Sequence, residues 1–385
     1  MTENRASDKG RVLLVIGSMN FGGAEGQLAM LAERLRARGW RVDVFLLEKS
    51  GVLVEQLQRA GVLVLDGGYR FNRSKFNKSV SICLCEARLI WRIWRSRPDV
   101  VHGFLPIPSF MSAVAGRLAF VPMVMTSKRS LGRHQEREPK LKWLDRVANA
   151  LSQVVTANSL AVAKDTEVRD GYDISRIVVI RNGLDFARVD QARHRRDEMR
   201  EILGLSEQDI AIAIVANLIP YKGHGELIEA FARIAPRDPR AKLFLIGRDD
   251  GIGPALVGSA GRLGVSDKVK FLGARSDVPM LLAGMDIGVM SSHEEGLSNA
   301  LLEKLATGLP VVATNVGGNP EVLEGMPGCI LVKPKDANDL ARGLLDVVSR
   351  LGEDDQNRTL RQNLVRERYS VDAMVDAYER LYLRR

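Results

Sequence analysis

The feature that most constrains the fold of this 385-residue chain is a repeated alternation of short apolar runs and helical patterns. The first apolar run is RVLLVIG at 11–17, and the next is RVDVFLL at 41–47. Between them, Leu28, Leu31 and Leu35 recur at the spacing of one helical face. Two apolar runs joined by a helix form a β-α-β unit, and such units build parallel sheets. The alternation therefore predicts an α/β protein.

The alternation occurs in two successive sets. After the first unit, the first set continues with apolar runs at 62–65, 98–103, 122–127, 153–157 and 176–180. The second set has runs at 211–217, 242–247, 268–273, 286–290, 310–314 and 329–332. A turn-rich segment at 181–190 separates them, so we predict two Rossmann-like domains, at 1–187 and 188–369. We expect the amphipathic segment at 370–385, which has no strand after it, to pack back on the first domain.

Composition indicates the cellular compartment. The three cysteines give no disulfide framework, which favours the cytoplasm. The polar, acid-containing N-terminus does not resemble a signal peptide, and no run of about 18 apolar residues predicts a membrane span. We therefore expect a cytoplasmic protein.

The net charge of +9 is unevenly distributed. Residues 1–190 contain 30 Lys and Arg against 19 Asp and Glu, whereas residues 191–385 contain 26 against 28. A basic half indicates an anionic partner such as a membrane surface, a nucleic acid or a phosphorylated acceptor.

Much of this basicity lies in residues 70–97, which contain eight Lys and Arg and one acid. Three of the arginines, beginning with Arg88, fall on one helical face at i, i+4 and i+7, and Trp91 and Trp94 accompany them. One interpretation is a core helix with a solvated basic side, and the other is an interfacial helix that docks on anionic lipid. The second interpretation leads to the hypothesis of peripheral binding to the inner face of the cell membrane.

The stretch EEGLSNALLEKLATGLPVVAT at 294–314 places two carboxylates around the start of a helix. Ser298 is the predicted N-cap, and Gly308 suits the end of the helix. Glu295 then lies in the loop before the helix, and Glu303 lies in its second turn.

A helix start of this kind can hold a nucleotide-sugar. The backbone N–H groups of Gly296, Leu297 and Ser298, together with the helix dipole, form an anion site for a diphosphate. Glu303 can accept hydrogen bonds from two ribose hydroxyls, and Glu295 faces the end where the sugar lies. The alternative is a loop acid and a surface helix acid without a ligand, because acid pairs at this spacing are common.

This segment resembles the E-x7-E motif of the retaining glycosyltransferases of family 4, which have the GT-B fold. Four other stretches resemble parts of the same family in the same order, so the resemblance covers nearly the whole chain. They are SMNFGGAE, the glycine-rich loop; VANLIPYKGHGELIEAF, the donor-phosphate loop; and VIRNGLDFARV and RYSVDAMVDAYERLY, the crossings between domains. The resemblance implies two Rossmann-like domains facing each other across a cleft. The donor would bind mainly to the C-terminal domain and the acceptor mainly to the N-terminal one.

The resemblance also implies roles for individual residues. Gly22 and Gly23 would approach the donor phosphates. Lys222 would neutralise the diphosphate, and Glu295 would orient the donor sugar in a metal-independent, electrostatic mechanism that needs no cofactor. The substrates would be a UDP- or GDP-sugar and a hydroxyl on a glycan or lipid-linked acceptor, as in polysaccharide biosynthesis.

One departure from the family affects the phosphate site. Asn217 stands where the family commonly has an arginine, so one cation is lost. Lys222 would then carry more of the diphosphate's charge, with help from Arg248 or Arg275.

A second departure concerns histidine. The segment at 123–132 lacks the histidine that many relatives carry near the reacting sugar. His102 is the other candidate for a catalytic role, and a structural strand-end histidine is the alternative. The remaining histidines are predicted at the surface: His134, His194, His224 and His293.

Other functions remain open from the sequence. A sugar-nucleotide epimerase of the same fold would act on the donor without an acceptor. A basic nucleic-acid-binding protein is disfavoured because only 5% of residues are aromatic and no nucleic-acid-binding module is visible. An NAD-dependent oxidoreductase is disfavoured because the G-x-G-x-x-G spacing is absent. Two simpler alternatives are that Lys222 is a solvated turn residue and that Gly22 and Gly23 are only turn residues.

Overall fold

The computed structural model of the chain describes residues 9–20, 22–70, 75–353 and 355–384. Phe21 of the glycine-rich loop and residues 71–74 of the basic stretch lie outside the described residues. The chain divides into two compact units, Met1–Gly183 with Val371–Arg385 and Leu184–Ser370. The boundaries expected from the sequence lie four residues after Gly183 and one residue before Ser370.

The N-terminal unit contains a seven-stranded parallel sheet in the order β3-β2-β1-β4-β5-β6-β7. Its strands are β1 (Arg11–Ile16), β2 (Arg41–Leu46), β3 (Leu63–Asp66), β4 (Val100–Phe104), β5 (Met123–Lys128), β6 (Val154–Ala157) and β7 (Ile177–Val179). Its described helices are α1 (Gly23–Ala37), α2 (Leu53–Arg59), α3 (Lys75–Ser96), α4 (Pro106–Leu118), α5 (His134–Arg137), α6 (Lys140–Leu151), α7 (Leu160–Asp170), a 3₁₀ turn (Ile174–Arg176) and a terminal helix (Val371–Tyr382).

The strands of this sheet are mostly apolar because both faces of the sheet are covered. In β1, Val12, Leu14 and Ile16 enter one core cluster, whereas Leu13 and Val15 enter another. Alternate residues of a strand point to opposite faces, so the two clusters lie on the two sides of the sheet.

The terminal helix packs against α1 and so belongs to the N-terminal unit. Its Tyr382 is completely buried. Its Glu379 accepts hydrogen bonds from Lys9 Nζ at 2.7 Å and from Trp40 Nε1 at 2.8 Å. These contacts fix the last helix of the described chain to the start of the N-terminal half.

The C-terminal unit contains a six-stranded parallel sheet in the order β10-β9-β8-β11-β12-β13. Its strands are β8 (Ile210–Val215), β9 (Ala241–Ile246), β10 (Val269–Gly273), β11 (Ile287–Met290), β12 (Val311–Thr314) and β13 (Ile330–Val332). Its described helices are α8 (Phe186–Ala192), α9 (Arg196–Ile202), α10 (His224–Ile234), α11 (Gly253–Arg262), α12 (Val278–Ala283), α13 (Asn299–Ala306), α14 (Asn319–Leu323), α15 (Ala337–Arg350) and α16 (Asp355–Arg368), with 3₁₀ turns at Pro220–Lys222 and Leu351–Glu353.

Each unit therefore has its own sheet and its own cores. The core on one side of the second sheet is formed largely by α10 and α15, and that on the other side by α13. Within the described part of the chain, no helix has both the length and the apolar character required to span a bilayer.

Candidate active site

The strand order defines one crevice in the C-terminal unit. From β8 the sheet extends through β9 to β10 on one side, and from β11 through β12 to β13 on the other. Ligands of open α/β sheets bind where the strand order reverses, outside the carboxyl ends of the strands. The loops after β8 and β11, at 216–223 and 291–298, flank this point, and they carry Lys222 and Glu295.

Lys222 and Glu295 form the central contact of the crevice. The Nζ of Lys222 lies 2.5 Å from Oε1 of Glu295, which also accepts a hydrogen bond from Ser292 Oγ at 2.7 Å. Only 18% of the lysine side chain and 9% of the glutamate side chain are exposed. An ammonium group has three donors, so this arrangement fixes a positive charge in place while leaving donors for a ligand.

Two glycines let the neighbouring loops close around this pair. Gly223 has a φ of +68°, and a Cβ there would collide with the carbonyl oxygen of Ser291. Gly317 has a φ of +52°, and a Cβ there would collide with the carbonyl oxygen of Glu295. Because only glycine fits both positions, backbone packing sets the geometry of the site.

Helix α13 begins where the sequence predicts. Ser298 is its N-cap, and Ser298 Oγ accepts a hydrogen bond from the backbone N–H of Leu301 at 3.3 Å. Glu303 is partly buried one turn later. Burial raises the pKa of this carboxyl, although the nearby cations Lys304 and Arg188 act in the opposite direction. The start of α13 thus combines a positive dipole end with a carboxylate that can accept hydrogen bonds from hydroxyl groups.

Lys304, to which the sequence motifs assign no role, is completely buried on α13. The available signal was its position three residues after Leu301, on the helical face that also carries Leu305. A lysine among leucines on a buried face requires a local reason, because lysine is rarely buried without a partner.

The remaining predicted phosphate-site residues lie near the ends of β8, β9 and β10. Oδ1 of Asn217 accepts a hydrogen bond from the backbone N–H of Arg248 at 3.3 Å. Arg248 forms an ion pair with Asp250, and Arg275 forms one with Asp277, each at 2.6 Å. The charges of the two arginines expected to assist Lys222 are therefore balanced by neighbouring acids.

The prediction that His224 lies at the surface is wrong. It begins α10, is 1% exposed, and its Nε2 lies 3.0 Å from the carbonyl oxygen of Asn217. Burial is the main cause that lowers its pKa, and its Nδ1 has no hydrogen-bond partner among the described residues. His293 is also partly buried, with Nε2 2.8 Å from Oε1 of Glu226, whereas His194 is exposed as predicted.

In the N-terminal unit, His102 lies on β4 and is completely buried. Its Nδ1 is 2.7 Å from the hydroxyl of Tyr382, and its Nε2 is 2.7 Å from Oγ of Ser127. Burial lowers its pKa to about 3, and the charge of Arg129 acts in the same direction. These contacts are typical of a structural histidine, and the catalytic role stays a prediction.

Gly22 and Gly23 lie beside the switch point of the N-terminal unit, which falls between β1 and β4. Gly22 is the N-cap of α1, and Gly23 is its first residue. On the other side of the switch point, Leu105 has a φ of 72°, a strained conformation for leucine that is often found at functional sites. The role of the two glycines toward the donor phosphates stays a prediction.

Comparison with known proteins identifies a relationship for each unit. The family model described as Glycosyltransferase Family 4 matches residues 21–188, and the one described as Glycosyl transferases group 1 matches residues 209–350. D-inositol 3-phosphate glycosyltransferase from Geodermatophilus obscurus is 27% identical, over 87% of this chain and 79% of its own. The UDP-Gal:alpha-D-GlcNAc-diphosphoundecaprenol alpha-1,3-galactosyltransferase of Escherichia coli is 22% identical, over 75% of this chain and 76% of its own.

Among solved structures, HepE from Anabaena in complex with UDP and glucose aligns with a TM-score of 0.83. The alignment covers 97% of this chain and 99% of that one at 22% identity, so it supports the fold. With a family model matched to each of its two units and two parallel-sheet Rossmann-like domains of the GT-B type, the chain belongs to the family 4 glycosyltransferases.

Proposed function

We propose that this glycosyltransferase moves a sugar, with retention of anomeric configuration, from a UDP- or GDP-sugar to a hydroxyl group of a glycan or lipid-linked acceptor. The observation that carries the proposal is the convergence of Lys222, Glu295 and the start of α13 at one switch point. Two relatives support the choice of substrates. The Anabaena structure contains UDP and glucose, and the name of the E. coli relative specifies UDP-Gal and a diphosphoundecaprenol-linked sugar.

The geometry suits stabilisation of a departing diphosphate. The diphosphate lies against the start of α13, where the helix dipole favours negative charge. Lys222 neutralises the charge that develops as the glycosidic bond breaks, and its contact with Glu295 holds it in position beforehand. Glu295 orients the sugar hydroxyls, and Glu303 accepts hydrogen bonds from the ribose. Fixed cationic and dipolar groups supply the stabilisation, so the proposed reaction is metal-independent.

Calorimetric titration of UDP, GDP and ADP tests the donor site. We expect one nucleotide to bind the wild type tightly and Glu303→Ala to bind it about tenfold more weakly, a loss of about 1.4 kcal/mol. Glu207→Ala, which removes an exposed acid from the same unit, is the matched control and should bind as the wild type does. If no nucleotide binds, or if Glu303→Ala matches the control, the assignment of the donor site is wrong.

The proposal places the enzyme on the inner face of the membrane through α3. Leu89 and Ile93 of this helix are buried, whereas Trp91 and Trp94 are 51% and 64% exposed. The guanidinium of Arg92 lies 4.8 Å from the centroid of the Trp91 ring. One face of α3 thus packs in the core while another presents tryptophan among arginines, the composition that favours an anionic lipid surface.

Sedimentation with lipid vesicles tests this placement. At low salt we expect the wild type to sediment with phosphatidylglycerol vesicles and not with phosphatidylcholine vesicles, and high salt should release it. The double variant Trp91→Ser, Trp94→Ser should lose most of this binding. Ile202→Ser, which removes an exposed apolar side chain from the other unit, should not. A wild type that stays in solution with anionic vesicles would rule out the membrane placement.

A further inference from the structure

Lys304 is buried within the very helix that the donor site uses. It is 0% exposed, and its aliphatic chain packs on Gly288 of β11, where even an alanine Cβ would lie 2.6 Å from its Cδ. Its Nζ lies 3.4 Å from the carbonyl oxygen of Ala300 and 3.3 Å from Sδ of Met290. A long contact to a carbonyl and a contact to a sulfur are weak compensation for a buried ammonium group.

The ammonium lies beneath the start of α13. Helical side chains lean toward the N-terminus, and the contact of Nζ with Ala300, four residues earlier, shows that Lys304 does so. Oγ of the N-cap Ser298 contacts the same sulfur, Met290 Sδ, at 3.9 Å. Met290 is the last residue of β11, so the ammonium lies at the carboxyl end of the sheet, next to the switch point.

The surroundings of Lys304 bring its protonated and neutral forms close in free energy near neutral pH. Burial is the main cause that lowers the pKa of Lys304, to about 7. Three charged groups act on it besides burial: Glu303 on its own helix and Glu295 in the preceding loop favour the protonated form, and Lys222 opposes it. An additional anion at the start of α13 would therefore favour protonation further.

The phosphate site needs such a charge. Asn217 is uncharged, and Arg248 and Arg275 are paired with acids. Lys222 itself is paired with Glu295. Because an acid balances each of these three cations, together they offer little net positive charge to a ligand that carries a diphosphate.

We propose that Lys304 is a positioning residue that supplies a second cation to the diphosphate site from beneath α13, and that it takes up a proton when the donor binds. The inference rests on the proposed function, since it assigns a further residue to the same site. It also explains why a lysine occupies a buried helical face.

Calorimetry with UDP, or with whichever of UDP, GDP and ADP binds the wild type, tests the proposal. At pH 7.5 the terminal phosphate is already ionised, so a proton taken up on binding comes to the protein. Titrations in two buffers of different ionisation enthalpy should show uptake of about half a proton by the wild type and none by Lys304→Met. At pH 6.5 the variant should bind about tenfold more weakly than the wild type, the effect of one charge acting through a partly screened medium.

The thermal unfolding midpoint separates the proposed role of Lys304 from a purely structural one. If the proposal is right, removing the uncompensated buried ammonium should raise the midpoint of Lys304→Met, even though nucleotide binding weakens. A structural lysine would instead lower the midpoint and leave proton uptake unchanged. Lys268→Met, which removes a lysine whose Nζ contacts the carbonyl oxygen of Pro239, is the matched control for charge.

The possible failures are distinguishable. If the wild type binds no nucleotide, the proposed function fails. If the wild type binds nucleotide without proton uptake, or if Lys304→Met binds and takes up protons as the wild type does, the inference about Lys304 is wrong and the donor site stands. Absence of proton uptake by the wild type would overturn the inference even if the variant does not fold.

Discussion

Both units of this glycosyltransferase completely bury an ionisable side chain that packs against the sheet or belongs to it, and the pair to compare is His102 in the first unit and Lys304 in the second. The imidazole of His102 has a hydroxyl 2.7 Å from each nitrogen. The ammonium of Lys304 has a carbonyl oxygen at 3.4 Å and a sulfur at 3.3 Å. The two groups are equally buried, but the imidazole has much shorter hydrogen-bond contacts than the ammonium.

This difference distinguishes a buried group whose hydrogen bonds compensate for its burial from one whose contacts do not. A buried polar group with well-formed hydrogen bonds stabilises the fold, whereas a poorly compensated one destabilises it and persists only for another reason. The first unit uses its buried imidazole to join β4 and β5 to the terminal helix through Ser127 and Tyr382. The second unit places its buried ammonium beneath the start of α13.

The largest expected effect comes from the second unit, at the proposed diphosphate site next to Lys304. Lys222→Met removes the cation that is held in the crevice by Glu295, so the leaving diphosphate loses a preorganised partner. We expect kcat to fall about 10²–10³-fold, which is typical when one such group is removed. The measurement is release of nucleoside diphosphate from the donor, with water or an acceptor as the second substrate.

A stability measurement must accompany this assay. Lys222→Met leaves Glu295 without its cation, so the unfolding midpoint shows whether the loss of activity reflects misfolding. A folded variant with kcat within about threefold of wild type would remove Lys222 from the mechanism.

The next largest effect concerns His102, the buried group that has a hydrogen-bond partner at each nitrogen. His102→Ala removes a packed ring and the hydrogen-bond partner of the Tyr382 hydroxyl, whereas Ser127 Oγ keeps its contact with Thr156 Oγ1. We expect a loss of about 3 kcal/mol in the free energy of unfolding. If His102 is structural, kcat at a temperature where the variant is folded should stay near wild type. A large loss of kcat in a folded variant would instead support its catalytic role. His194→Ala, at an exposed histidine, is the control.

The pH dependence of stability sharpens this test. The pKa of His102 is about 3 in the folded protein, below the ordinary value of 6.5. The unfolded chain therefore binds a proton before the folded one does, and stability falls as the pH drops from 6.5 toward 3. Chemical denaturation across this range should show a shallower decline for His102→Ala than for the wild type.

The strands were predictable because buried parallel strands are short continuous apolar runs. The run DIGVM became β11 (Ile287–Met290), and each of the other predicted runs overlaps a strand in the same way. The start of α13 was predictable for a local reason too, since Ser298 caps the helix from within the same segment.

The unpredicted features depend on contacts that are distant in sequence. The pairing of Lys222 with Glu295 spans 73 residues, and the sequence predicts only that both contact the same ligand. The burial of Lys304 depends on the missing side chain of Gly288. The burial of His224 depends on the fold of the loop that contains Asn217.

A smaller effect should come from the ionic contact that fixes the terminal helix. Burial opposes ionisation of Glu379, but hydrogen bonds from Lys9, Trp40 and Arg38 lower its pKa to about 2. The ionised carboxylate of Glu379 makes its full contribution to the free energy of unfolding above the unfolded pKa of about 4.5. This contribution is lost as the pH falls toward 2. Glu379→Gln should therefore lose about 2 kcal/mol of unfolding free energy at pH 7 and almost nothing near pH 2. An equal loss at both pH values would show that the carboxylate charge is not the cause.

The smallest expected effect comes from Arg275, an exposed cation of the same unit as the buried Lys304. The sequence assigns Arg275 to the nucleotide, yet its guanidinium is 2.6 Å from Asp277 and 41% of its side chain is exposed. Exposed ion pairs contribute about 0.5 kcal/mol or less, so Arg275→Ala should leave stability almost unchanged. Because Asp277 already balances its charge, we expect nucleotide affinity to change less than about threefold, against about tenfold for Lys304→Met. If calorimetry reverses this order, the exposed arginine and not the buried lysine compensates for Asn217.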